Sequence, residues 1–81
     1  MLAFYDRLER LRDSLVAAGL DSWSRELLAA ERSASTSGEA LDHVSVVLRK
    51  LQESNEMQDD ELREEVKAAL AEGSRIWNSG T

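Results

Sequence analysis

Apolar residues recur at alternating steps of three and four along four stretches of this chain, and no proline interrupts any of them. That spacing sets side chains along one stripe of an α-helix, whereas a proline inside a helix would cost about 3 kcal/mol. The pattern predicts an all-α fold, a compact antiparallel bundle of about four short helices forming a single domain over residues 1–81. A helical hairpin completed by dimerisation is the alternative build, because links this short favour antiparallel neighbours in either arrangement.

The first predicted helix, residues 2–18, carries Phe4, Leu8, Leu11 and Leu15, with Gly19 placed for a left-handed C-terminal residue. The second, residues 22–33, has the stripe Trp23, Leu27 and Ala30, with Asp21 or Ser22 as its capping residue. Residues 33–38 lack periodicity and are rich in turn formers. Thr36 and Glu39 there have the spacing of a capping box. The third helix, residues 37–54, shows Leu41, Val44, Leu48 and Leu51, widened by Ala40 and Val47, and Asn55 marks its stop. The fourth, residues 59–77, shows Leu62, Val66, Ala69, Leu70 and Trp77. Gly73 interrupts it at a cost of about 1 kcal/mol relative to Ala, so fraying or a bend is expected beyond that point.

A chain of 81 residues forms one small core and leaves a narrow stability margin. It has no Cys to staple that core and none that argues for an oxidising compartment. Its longest apolar runs, such as residues 15–18, fall far short of the roughly 20 residues that cross a bilayer. No basic region followed by an apolar stretch opens the sequence, so a cytoplasmic chain without a membrane partner is expected.

Some apolar residues lie off the stripes. Leu2, Tyr5 and Val16 form a second strip on the first helix, and Leu28 and Val46 are similarly displaced on the second and third. Isolated exposed apolar residues are ordinary, but a chain short of core gains by covering such a strip, so Tyr5 and Val16 are candidate contacts of a homodimer or partner. Trp23 belongs to its helix's stripe. Trp77, near a polar end, is a candidate for core or partner contact.

Charge is uneven along the chain. Residues 1–52 hold eight acids and seven bases, whereas residues 53–65 hold seven acids and one base within a chain of net charge −6. The acids are Glu53, Glu56, Asp59, Asp60, Glu61, Glu64 and Glu65. Those in the first turn of the fourth helix each gain about 0.3–1 kcal/mol from the helix dipole. The others repel one another, which suits either a solubilising face or a surface that draws in a basic protein partner.

The same acids lack the alternating ligands and central glycine of a calcium loop. Glu39 and His43 share a helix face but fall short of a zinc ligand set. Asp59 and Asp60 are adjacent and diverge by about 100° on a helix, so they do not pair as catalytic carboxylates. The four glycines, at 19, 38, 73 and 80, form no phosphate cradle. Neither a cofactor nor catalysis is expected.

Ala18, Gly19 and Leu20 followed by Ser22 resemble the turn of the helix-turn-helix DNA-binding motif. The likeness stops there. Arg25 stands where that motif packs an apolar residue, and Leu15 stands where its small residue precedes the turn. Glu26 and Glu31 also balance Arg25 and Arg32 on the would-be reading helix, leaving no positive excess for phosphates, so no nucleic-acid partner is expected.

The sequence therefore points to a non-enzymatic protein-interaction module, in its most concrete form a small acidic antitoxin, immunity or regulatory protein that masks another protein. A self-assembling adaptor or structural homodimer is the alternative.

Overall fold

The structure is a computed structural model that describes residues 2–57 and 59–79, without the side chains of Leu2, Ser37, Trp77, Asn78 and Ser79. Four helices follow one another: α1 (Leu2–Ala17), α2 (Asp21–Arg32), α3 (Ser37–Glu53) and α4 (Asp60–Ser79). Each packs against the next, and α4 closes back on α1, while the diagonal pairs make no close approach among the described residues. The start of α1 meets the end of α4, and the start of α2 meets the chain just beyond α3, so neighbouring helices run antiparallel. The sequence-predicted stripes turn inward together. Phe4, Leu8, Leu11 and Leu15 meet Leu27, Val44, Leu48, Leu51, Leu62 and Val66 in one core.

The link from α1 to α2 is the tightest. Gly19 adopts φ +80°, a region open to glycine at no steric cost. The Leu20 amide donates to the Leu15 carbonyl at 2.8 Å and the Gly19 amide to the Val16 carbonyl at 3.0 Å, the two bonds of a Schellman motif. Neither Asp21 nor Ser22 caps α2. Leu20 is at once the last residue of the Schellman turn and the N-cap of α2, and no side chain caps the helix. So short a link leaves no position for a polar cap; the Leu20 carbonyl accepts from Trp23 and Ser24, and Asp21 falls in the first turn.

The starts of α3 and α4 use side chains. Thr36 Oγ1 accepts from the Glu39 amide at 3.2 Å, and the Glu39 carboxylate accepts from the Ser35 amide at 3.1 Å. The expected capping box thus forms with its return bond displaced by one residue. Asp59 Oδ1 accepts from the Glu61 amide at 2.9 Å at the start of α4. At the far end of α3, Ser54 stops the helix one residue before Asn55, with extended backbone and its hydroxyl donating to the Leu51 carbonyl at 2.9 Å.

The helix does not fray at Gly73 as the sequence suggested: α4 runs through it to Ser79. A Cβ placed on Gly73 would lie 3.3 Å from Phe4 Cζ, so the missing side chain is the space in which the Phe4 ring packs. Along α4, Leu62, Val66, Ala69 and Gly73 are buried, and the half-buried Leu70 and Ile76 pack against the same core. Trp77 lies on the backbone of α4, and its side chain, like that of Leu2, lies outside the described residues. Two ion pairs bind α1 to its neighbours, Arg7 with Glu72 of α4 and Arg12 with Glu31 of α2.

Candidate interaction surface

Antiparallel packing places the end of α1, the start of α2, the end of α3 and the start of α4 at one pole of a molecule 35 Å long. Glu53, Glu56, Asp59, Asp60 and Glu61 therefore gather at that pole, all exposed, and the fold adds Asp21 from the first turn of α2. Asp21 is absent from the acidic run in sequence; only the return of the chain brings it to the same end. Glu64 lies a turn farther along α4, exposed. Glu65 lines a shallow groove with Arg7, Arg10 and Leu11 of α1.

Several of these acids have structural duties. Glu56 accepts a hydrogen bond from the Trp23 indole N–H, which ties the α3–α4 connection to the first turn of α2. Asp59 caps α4, and Asp60 and Glu61 occupy its first turn, where the dipole favours negative charge. Glu53 has the opposite situation. It lies in the last turn of α3 with Lys50, where a carboxylate meets the negative end of the dipole, and among the described residues it makes no hydrogen bond or ion pair.

Arg63, the sole base between residues 53 and 65, is turned to another use. Its Nε and Nη2 donate to the Met57 carbonyl at 3.0 and 2.8 Å. Met57 itself, in the connection between α3 and α4, is only 1% exposed and belongs to the core. A lone apolar residue among acids carries no periodic signal, so sequence reasoning missed it.

At this pole Ala18, Leu20, Glu56, Met57, Asp59 and Leu62 line an open depression of about 320 Å³. Lys50, in the last turn of α3, is the nearby base outside the acidic run.

The off-stripe apolar residues are scattered by the fold. Val16 is 51% exposed on α1 and Val46 42% exposed on α3, which is diagonal to α1 in the bundle. Tyr5 is half-buried against the core, and Leu28 is also half-buried. Val46 and Val47 line an open groove between α2 and α3 with Ala29, Ala30, Ser33, His43 and Glu26. In that groove His43 Nδ1 lies 3.0 Å from Ser33 Oγ, whose hydroxyl donates at 3.2 Å to the Ala30 carbonyl.

Among the described residues no group of three or more His, Cys, Asp or Glu converges to hold a metal ion. No helix among them is long and apolar enough to cross a membrane. No protein-family model, curated protein or solved structure matches this chain, so its own chemistry alone bears on its function.

Proposed function

We propose that this chain is a non-enzymatic protein-interaction module of the small acidic antitoxin, immunity or regulatory kind, working in the cytoplasm by covering a basic surface of a partner protein. The supporting observation is the electrical polarity of the bundle. Asp21, Glu53, Glu56, Asp59, Asp60 and Glu61 share one pole, where Arg63, hydrogen-bonded to the neutral Met57 carbonyl, offsets one of their charges. Glu53 adds to that pole from the last turn of α3, where the helix dipole does not favour a carboxylate. Such a pole accelerates encounter with a basic protein and fixes its orientation.

Capture from native cells tests the reading, using the wild type beside a variant carrying Glu53→Gln, Asp60→Asn, Glu61→Gln and Glu64→Gln. A basic protein retained at low salt, released as salt rises and absent from the variant is the expected result. A retained set that is indifferent to both salt and the four substitutions would overturn it.

A further inference from the structure

The outer face of α3 carries charge in an order that its own fold does not use. Asp42 and Arg49 stand one turn before and one turn after Val46, and all three are exposed, so they share one solvent-facing stripe of the helix. Among the described residues neither charged side chain makes a hydrogen bond or ion pair, and about 10 Å of helix rise keeps the two from pairing with each other. The helix dipole accounts for Glu39 in the first turn of α3 and Lys50 in the last, but Asp42 and Arg49 lie between those turns, beyond its reach. Beside the exposed Val46, Ala29 and Val47 line the open groove between α2 and α3.

We propose that a second copy of this chain covers this face, the two α3 helices lying antiparallel about a twofold axis beside Val46. An isologous contact must be complementary to itself, because both sides offer the same patch. An acid before an apolar centre and a base after it meet that demand in one direction only. Antiparallel helices bring Asp42 of each copy against Arg49 of the other while Val46 faces Ser45 and Val46 across the axis. Parallel helices would set acid against acid and base against base. A purely basic or purely acidic partner would satisfy one of the two charges and oppose the other. Residues 39–52 hold two acids and two bases within a chain of net charge −6, so two copies approach through this neutral stretch without the repulsion that the acidic pole would impose. The pole lies at the end of α3, and antiparallel pairing points the two poles in opposite directions, which gives the assembly two anionic ends.

Sedimentation velocity of the full chain over a concentration series at about 0.15 M salt tests the contact. The wild type is expected to pass from monomer to dimer as its concentration rises. Asp42→Arg and Arg49→Asp each set like charges against each other and are each expected to weaken dimerisation about tenfold or more. Val46→Asp should do the same. An equimolar mixture of the Asp42→Arg and Arg49→Asp variants is expected to dimerise again, because every contact between positions 42 and 49 then joins opposite signs; the chain carrying both substitutions should recover likewise. Circular dichroism of each variant reads whether it is folded. In the wild type, the amide resonances of Asp42, Ser45, Val46 and Arg49 are expected to move with concentration, a readout that needs no variant.

A wild type that stays monomeric throughout overturns the proposal. So does a dimer that both charge reversals leave intact, a mixture of folded single variants that stays monomeric, or a concentration response confined to Val16 or to the acidic pole. The variant with Glu53, Asp60, Glu61 and Glu64 neutralised is expected to dimerise as the wild type does, so this contact and the acidic-pole reading fail separately.

Discussion

The indole N–H of Trp23 donates to the carboxylate of Glu56, joining the first turn of α2 to the connection between α3 and α4 across 33 positions of sequence. One residue is half-buried against the core and the other is exposed, so the bond spans the boundary between the packed interior and the acidic pole. Glu56→Ala is expected to cost about 0.5–1 kcal/mol, the modest scale of an exposed hydrogen bond, while Glu56→Gln keeps an acceptor and should cost less. Urea denaturation of both variants measures the difference.

Gly73 and Phe4 make a second pair with a measurable consequence. Alanine at 73 gains about 1 kcal/mol of helix propensity but brings its Cβ to 3.3 Å from the Phe4 ring, so the two effects nearly cancel. Valine has no such compensation and should destabilise by about 1–3 kcal/mol. Combined with Phe4→Leu, Gly73→Val is expected to cost less than the sum of the two single changes, and a double-mutant cycle in urea reads that coupling.

Arg12 and Glu31 are exposed by only 18% and 12% of their side chains, so their ion pair is largely withdrawn from water. Removing one partner leaves the other with poor solvation. Glu31→Gln or Arg12→Met alone is expected to cost about 1–3 kcal/mol. The double change Arg12→Met with Glu31→Leu should recover part of that loss, as measured by thermal unfolding.

Val16 is the most exposed large apolar residue described, and its strip partner Tyr5 is turned into the molecule's own core. Among the described side chains of that strip Val16 alone is exposed. Val16→Asp is accordingly expected to leave the sedimentation coefficient unchanged; a wild-type dimer that this variant splits would move self-assembly to that strip.

Glu53 gives a prediction of opposite sign. Neutralising an acid in the last turn of a helix relieves its clash with the dipole, so Glu53→Gln is expected to stabilise the fold by about 0.3–1 kcal/mol at low salt. The same substitution should weaken partner binding. Opposite movements of melting temperature and affinity would separate a functional carboxylate from a structural one.

Helix periods reached most of the fold because each stripe is a local signal. Phe4, Leu8, Leu11 and Leu15 announce α1 at any position in space, and Gly19 announces its end. What the periods missed depends on distant partners. Nothing near Gly73 in sequence shows that a phenylalanine from the other end of the chain packs against it, so a residue that normally weakens a helix looked like a break. Met57 failed to register because burial of one residue in a loop has no periodicity, and Asp21 because only the return of α2 brings it to the acids of α4. The candidate surface was visible as a run of carboxylates. Its apolar floor was not, since Ala18, Leu20, Met57 and Leu62 come together only through three-dimensional contact.

The packing of Phe4 over Gly73 brings the first and last helices together at the pole remote from the carboxylates. A fluorescent label or affinity handle placed on the exposed Ala3 or Ser74 therefore projects away from the anionic cap. Tethered through either position, the molecule still offers its charged face unobstructed to whatever approaches.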